Sequence, residues 1–142
     1  MIVPDLNLLI YAVNEESVPH EAARLWWESV MNGTEEIGVP WVVTLGFLRL
    51  TTSPRVFSQP LSPAAAWSVV EEWLDSSLCR PLTPGSRHRE ILKTLVLEHG
   101  TAGNLTTDAH LAAICIEHGA VLYTADNDFG RFPALKRKNP LG

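Results

Sequence analysis

The segment 104–132 reads NLTTDAHLAAICIEHGAVLYTADNDFGRF, and its pattern decides the fold class. Thr106 and Thr107 suit an N-cap, because a threonine hydroxyl accepts hydrogen bonds from free N–H groups of a first helical turn. Apolar residues then recur at helical spacing, and Gly119 suits the left-handed position after a helix end. The short apolar run 120–123 is typical of a strand buried on both faces. The segment therefore predicts a helix, a tight turn, a buried strand and an acidic loop.

Three aspartates lie close to the ends of these elements. Asp108 falls in the first turn of the helix, and Asp126 and Asp128 follow the strand. Carboxylates just past a buried parallel strand lie at the carboxyl edge of a sheet, where open α/β folds place their ligand sites. Taken singly, each aspartate has an equally good structural role, with the helix dipole or in a turn. Together they favour a site for a hard cation, which prefers oxygen ligands.

The beginning of the chain supplies a fourth aspartate of the same kind. A very short apolar run, 1–4, leads to Asp5, and an apolar segment that fits a helix begins directly after it. A strand that ends at Asp5 brings a second strand-end carboxylate beside the one after Tyr123, with Asn7 placed to orient it by hydrogen bonding. Asp5 equally suits the N-cap of the next helix, and both roles are compatible at a sheet edge.

The rest of the chain alternates between strand and helix patterns. Further strands are predicted at 37–39, at 79–82 and, at an edge, around 136–138. Further helices are predicted at 19–31, 40–52, 63–75 and 86–99. This order predicts a single α/β domain over residues 1–142, with a mostly parallel sheet of four or five strands and helices on both faces.

The predicted helix 40–52 is apolar nearly all round, and Arg49 is its only charged residue. Such a helix has to be buried, in the fold or in an oligomer interface. Gly46 inside it costs about 1 kcal/mol relative to alanine. The glycine therefore indicates a close approach, either of a neighbouring helix or strand, or of a ligand or partner chain.

Composition restricts the class of protein. The chain has 142 residues, of which 46% are hydrophobic and 19% charged, as expected of one globular domain. No apolar run reaches the roughly 18 residues of a membrane span and no signal-peptide pattern begins the chain, so a cytoplasmic location is predicted. Cys79 and Cys115 lack metal-type spacing and are predicted to be buried thiols. The net charge of -5 weakens the case for a broad basic nucleic-acid surface, although a cluster of site carboxylates contributes to it.

These residues resemble the PIN-domain family, and in particular the VapC-type toxins of toxin–antitoxin pairs. The resemblance rests on Asp5 after the apolar start, Asp108 in TTDAHLAAICIEHGA, and Asp126 with Asp128 in YTADNDF. The segments GFLRLTTSPRVF and PLSPAAA extend it over essentially the whole chain. It implies a metal-dependent endoribonuclease with Mg2+, or Mn2+ in its place. By the same resemblance Asp5, Asp108 and Asp126 bind the metal, and Asp128 is an auxiliary catalytic residue.

The resemblance also implies an RNA substrate, a homodimer and a cognate VapB-type antitoxin whose tail occupies the active-site groove. One position departs from the family pattern. Many PIN domains carry a glutamate in the helix that here reads VVTLGFLRL, and the matching residue is Gly46. This departure leaves open whether the site holds one ion or two. It also leaves open a catalytically weakened module that binds RNA or a partner.

The aspartates are consistent with phosphodiester hydrolysis even without the resemblance to the family. A Mg2+ ion held by one or two carboxylates activates water and neutralises charge that develops on a phosphate. A phosphatase of the haloacid-dehalogenase type needs Asp-x-Asp after its first strand, whereas this chain has Asp5-Leu6-Asn7. The scattered histidines suggest no Ser/His/Asp set.

The sequence does not decide the roles of three further features. His110, two residues after Asp108, falls on a different helix face, and its contact with the site is undecided. Arg55, in the loop 53–60, is a weak candidate for substrate phosphate binding. The basic run Lys136–Lys138 is either a solvated tail or faces a polyanion. The sequence does not identify the RNA target, because the specificity of such a small nuclease depends on its loops and on the shape of the RNA.

Overall fold

The computed structural model describes residues 1–100, 103 and 105–142. The helices are α1 Leu6–Val13, α2 His20–Met31, α3 Trp41–Thr51, α4 Pro63–Asp75, α5 His88–Glu98 and α6 Leu105–His118. The strands are β1 Ile2–Pro4, β2 Ile37–Pro40, β3 Cys79–Leu82, β4 Val121–Tyr123 and β5 Lys136–Lys138, and a 3-10 helix spans Asn127–Arg131. The predicted helices and strands are all present, with boundaries that differ by one or two residues. The 3-10 helix replaces part of the predicted acidic loop.

The five strands form one parallel sheet in the order β3-β2-β1-β4-β5. The predicted α/β architecture is therefore confirmed. Of the four or five strands predicted, the described sheet has five. From β1 the chain moves outward through β2 to β3, and then returns to add β4 and β5 on the other side of β1. Because such crossovers are right-handed, the reversal places α1 to α4 on one face and α5 with α6 on the other. The strand order switches between β1 and β4, and the carboxyl end of that switch point is where open sheets bind ligands.

The centre of the sheet is buried and its margins are less so. β1 and β2 are buried along their whole length. β4 departs from the prediction of burial on both faces, because Val121 and Tyr123 are only half-buried. β4 lies next to the edge strand, where helices cover the sheet less completely. Tyr123 gains partial cover from Trp26, whose ring stacks on it with centroids 5.5 Å apart.

Helix α3 is buried on one side within the domain, so burial of its other side in an oligomer interface stays a prediction. Its inner side packs Val43 and Phe47 into the core. On its outer side Trp41 is 40% exposed and Leu45 is 61% exposed. These apolar side chains have no described helix or strand of the same domain covering them, so the outer side of α3 is an exposed apolar surface.

Helix α6 begins earlier than predicted. Its first residue is Leu105, so Thr106 and Thr107 lie inside the first turn and are not the N-cap. Asn104, the residue before Leu105 in the sequence, lies outside the described residues. At the other end the prediction is confirmed, because the helix stops at His118 and Gly119 adopts a φ of +64°.

Two further sequence predictions have structural outcomes. Cys79 and Cys115 are both buried free thiols, and burial raises the pKa of Cys79 to about 11. Within the described part of the chain, no helix combines the length and the apolar content that a membrane span requires.

Candidate active site

Asp5 stands where β1 passes into α1 and is the most buried acid of the site. Its backbone N–H donates to the Tyr123 carbonyl at 2.9 Å, which continues the β1–β4 pairing one residue past the strand. Asp5 occupies the N-cap position of α1, yet its side chain makes no capping hydrogen bond. Instead the carboxylate, only 7% exposed, accepts a hydrogen bond from the Thr124 hydroxyl at 2.7 Å. The fold therefore commits this carboxylate to the sheet edge and not to the helix end.

The environment of Asp5 opposes its negative charge. Burial raises the pKa of Asp5 to about 6, against an ordinary value of 3.8. The hydrogen bond from Thr124 acts in the opposite direction, and the nearby charges of Asp108 and Asp126 raise the pKa further. The ionised carboxylate consequently lacks a compensating positive charge, which is the condition that a bound cation would relieve.

Thr124 joins the two strand ends, and sequence reasoning did not identify it. The residue is 2% exposed, and its hydroxyl oxygen accepts from the Asp126 N–H at 3.0 Å while its hydrogen goes to Asp5. The only available signal was a hydroxyl residue directly after a buried strand. Asn7 was predicted to orient Asp5, but the structure gives that contact to Thr124, because Asn7 is exposed on the first turn of α1.

Asp126 has both a structural and a site position. Its Oδ1 accepts from the backbone N–H of Asp128 at 2.8 Å and so caps the 3-10 helix. The turn-building role considered from the sequence is thus present. The same residue also faces a cavity of about 130 Å³ together with Asp5 and Asp108. The cavity is completed by uncharged neighbours, namely Leu6, Asn7, Val42, Val43 and Thr107.

Asp108 reaches the cavity from the first turn of α6, on the opposite side of the sheet edge from α1. Burial raises its pKa, and the charges of Asp126 and Asp128 raise it further, whereas Arg131 opposes this shift. Three elements that are distant in sequence therefore bring Asp5, Asp108 and Asp126 to one cavity at the topological switch point.

The other candidate residues lie outside this cavity. Asp128 is exposed, and it contributes its charge and its backbone N–H rather than a lining side chain. His110 turns away to His88, whose Nε2 lies 3.0 Å from His110 Nδ1. Arg55 is exposed in the loop after α3. Since α3 starts beside the cavity and is 11 residues long, Arg55 lies beyond its far end, roughly 15 Å away along the helix axis.

The donor set suits a hard divalent cation. No group of three or more metal-binding side chains is already gathered at ligand distance among the described residues. Mg2+ does not require such a cage, because it retains several waters and binds through one or two carboxylates. The three cavity aspartates supply oxygen donors, and the burial and neighbouring negative charges that raise the pKa of Asp5 and Asp108 favour a bound cation.

Gly46 marks the contact between α3 and α1. The glycine is buried, and a Cβ built on it would overlap the side chain of Leu6, which itself lines the cavity. Of the explanations that the sequence left open, close packing against a neighbouring helix is therefore the one observed. At this position α3 contributes no carboxylate, and Leu6 fills the adjacent space.

Comparison with known proteins identifies relatives over the whole chain. The family model for the PIN domain matches residues 2–135. Ribonuclease VapC33 of Mycobacterium tuberculosis strain H37Rv is 45% identical over 141 residues, 99% of each chain. Ribonuclease VapC37 of the same strain is 38% identical over 140 residues, which cover 99% of this chain and 97% of the relative.

Solved structures of low sequence identity share the fold. VapBC2 of Rickettsia felis, bound to a DNA fragment from its promoter, contains a chain that matches with a TM-score of 0.69 and 19% identity, over 98% of both chains. VapBC-1 of nontypeable Haemophilus influenzae matches with a TM-score of 0.70 and 15% identity, over 100% of both. With the family model and the near full-length identities, the chain belongs to the PIN-domain family, in its VapC-type group.

Proposed function

We propose that this protein is a Mg2+-dependent endoribonuclease, with Mn2+ as an alternative ion, and the toxin of a toxin–antitoxin pair. The observation that carries the proposal is the convergence of Asp5, Asp108 and Asp126 on one cavity at the switch point of the sheet. The names of the relatives VapC33 and VapC37 describe ribonucleases, which supports RNA as the substrate. The buried carboxylate of Asp5, with the negative charges of Asp108 and Asp126 close to it, supports a cation as the partner of the site.

Each residue has a distinct role in this proposal. When bound, Mg2+ lowers the pKa of a coordinated water and offsets charge that develops on the phosphate. Asp5 and Asp108 would hold the ion, and the Thr124 hydroxyl orients the Asp5 carboxylate through its hydrogen bond. Asp126 has one oxygen occupied by the Asp128 N–H, so its other oxygen remains to hold the ion or to accept a proton from the attacking water. Asp128 acts through its charge and by positioning Asp126.

The partners follow from the fold relatives and from one exposed surface. The matched structures are those of VapBC2 and VapBC-1, so we propose a cognate VapB-type antitoxin for this chain. The exposed apolar side chains of Trp41 and Leu45 on α3 support burial against a second copy or the antitoxin. The expected species is a homodimer, and a concentration-independent monomer in sedimentation equilibrium would contradict it. The cytoplasmic location stays a prediction.

A second function is favoured by Gly46. Because Leu6 fills the space beside Gly46, α3 adds no carboxylate to the cavity there. A site with fewer acids suits one ion, and it equally suits a module that binds RNA or a partner with weak catalysis. The two functions differ in whether purified protein turns over RNA.

The deciding experiment is cleavage of a labelled pool of structured RNA by purified protein. It is run with Mg2+, with Mn2+ and with chelator, beside Asp5→Asn and Asp108→Asn. Glu16→Gln is the matched control, because it neutralises a carboxylate that lies outside the site. We expect metal-dependent cuts at discrete positions that both aspartate variants lose and the control retains. Metal-loaded, folded protein that binds RNA without cutting it would instead establish the binding module.

A further inference from the structure

The end of the chain carries an unusual concentration of positive charge. Four of its eleven lysine and arginine residues lie within 131–138, and residues 129–142 include no aspartate or glutamate. We call Arg131, Lys136, Arg137 and Lys138 the basic edge. The three strand residues among them are exposed, and Arg131 is half-buried. On a chain with a net charge of -5, this grouping distinguishes one margin of the sheet from the rest of the surface.

The basic edge ends beside the carboxylate cavity. β5 is parallel to β4, so its carboxyl end lies at the same edge of the sheet as the aspartates. Lys138 stands opposite Tyr123 in the register, and the Lys138 carbonyl accepts from the Thr124 N–H at 2.9 Å. Thr124 in turn donates its hydroxyl hydrogen to Asp5. One residue therefore links the last cation of the strand to a carboxylate of the cavity.

The side chains of the basic edge occupy both faces of β5. Lys138 shares a face with Tyr123, and its Nζ lies 6.0 Å from the centroid of that ring. Arg137 faces the 3-10 helix, where its guanidinium would lie 2.8 Å from a Cβ built on Gly130. Arg131 donates its Nε–H to the Asp128 carbonyl at 3.1 Å. The cations thus lie on both faces of the edge strand and at the end of the 3-10 helix that follows Asp126.

These cations are not committed to acidic partners. Across residues 1–100, 103 and 105–142, the ion pairs of the protein involve Arg24, Arg80 and the N-terminus, and none involves the basic edge. Lysines on an edge strand also discourage pairing between sheets of different molecules. That role accounts for β5 but not for Arg131, which lies outside the strand and whose charge reaches Asp108.

We propose that the basic edge binds the phosphate backbone of the RNA strand next to the scissile bond. The proposal rests on the ribonuclease function proposed above. The cavity is lined by acids and repels phosphate, so the attraction that brings RNA to it has to come from adjacent cations. Contacts of this kind reach the backbone and not the bases, so they position the strand without selecting its sequence.

The test compares two variants that each remove two exposed positive charges. Lys136→Gln with Lys138→Gln alters the basic edge, and Arg89→Gln with Lys93→Gln alters exposed positions on α5. Both are placed in an Asp5→Asn background without divalent ions, and binding of a fluorescein-labelled single-stranded RNA of mixed sequence is followed by anisotropy over a range of salt. The basic-edge variant should raise Kd on the order of ten-fold, and the control should leave it unchanged.

The salt dependence gives a second readout. Each phosphate contact on a single strand contributes about 0.7 to the slope of log affinity against log salt, so two lost contacts reduce the slope by about 1.4. With Asp5 restored and Mg2+ present, the basic-edge variant should raise KM while kcat is retained. Melting temperatures equal to that of the parent protein show that the variants are folded.

The outcomes separate this proposal from the proposed function. If the parent protein cuts RNA and both double variants bind with equal affinity and equal slope, the basic edge is overturned and the nuclease stands. If the parent neither binds nor cuts RNA, both proposals are overturned. If the basic-edge variant keeps its RNA affinity but no longer forms a complex with its co-expressed antitoxin, the edge binds an acidic protein segment and not RNA.

Discussion

Two cavities of this fold, one at the carboxyl edge of the sheet and one away from it, differ in how they hold their carboxylates. The cavity at the carboxyl edge has a volume of about 130 Å³ and contains Asp5, which is 7% exposed. A larger cavity of about 430 Å³ lies between the end of α1 and the loop after α3, and Glu15 and Glu16 line it. Both glutamates are exposed, and Glu16 accepts a hydrogen bond from the Ser58 hydroxyl at 2.7 Å.

The contrast shows that neither volume nor acidity distinguishes the candidate site from the other cavity. Exposed carboxylates are stabilised and screened by water, so they have little need of a bound cation. Buried carboxylates that face each other lack that stabilisation, and the raised pKa of Asp5 is the result. The smaller cavity also lies at the topological switch point, where strands from both halves of the sheet end together.

The largest expected effect distinguishes residues inside the carboxyl-edge cavity from their neighbours. Asp126→Asn should reduce RNA cleavage on the order of a thousand-fold, the upper end of the loss when one electrostatic contact to a transition state is removed. Asp128→Asn should cost less than about ten-fold, because its side chain does not line the cavity. Single-turnover rates at saturating Mg2+ provide the comparison. Equal losses in the two variants would mean that Asp128 turns into the site when RNA binds.

The second prediction concerns the cost of the buried charge. The folded pKa of Asp5, about 6, exceeds its ordinary value of 3.8, so the metal-free protein loses stability as the pH rises from 3.8, and the loss is complete above about pH 6. Asp5→Asn should therefore raise the free energy of unfolding by roughly 3 kcal/mol at alkaline pH. The gain should shrink as the pH falls through 6 and vanish below 3.8. Urea unfolding with chelator measures it.

Glu16→Gln, in the larger cavity, is the control for that measurement. An exposed surface substitution should stay within about 0.5 kcal/mol at every pH. A stabilisation of Glu16→Gln equal to that of Asp5→Asn would refute the claim that burial separates the two cavities.

The third prediction tests the link between the strand ends. Thr124→Val removes the hydrogen bond to Asp5, and orienting partners of metal ligands typically contribute about ten- to 100-fold to activity or metal affinity. Thr124→Ser retains the hydroxyl and should recover most of the loss. Titration with Mn2+ by calorimetry reports affinity separately from turnover. If serine and valine behave alike, the hydroxyl has no orienting role.

The smallest effect is expected at the helix contact beside the cavity. Gly46→Ala forces the flexible end of Leu6 to shift, while alanine gains about 1 kcal/mol of helix propensity over glycine. The two terms nearly cancel, so the stability should change by less than about 1 kcal/mol. Cleavage should fall only a few-fold, because the displaced Leu6 lines the site. A loss of stability greater than about 1 kcal/mol, measured by thermal unfolding, would show that the contact between Leu6 and residue 46 is rigid.

The fold could be read from the sequence to a large extent, because its signals are local. Helical spacing, short apolar runs and turn residues predicted the strand–helix alternation, and alternation of that kind implies a parallel sheet. The boundaries were less certain, as Leu105 shows by preceding the threonines that resemble an N-cap. The exposed side of α3 was not predictable, since apolar composition does not state which neighbour covers a helix.

The sequence by itself determined which acids are candidates, because Asp5, Asp108, Asp126 and Asp128 all stand at element ends. Only the tertiary structure decided that Asp128 lies outside the cavity and that His110 faces His88. It also decided that Thr124 holds Asp5, a contact between residues 119 positions apart. The physical reason is that element ends follow from local propensities, whereas side-chain contacts depend on strand order. Strand order is set by burial of the whole chain.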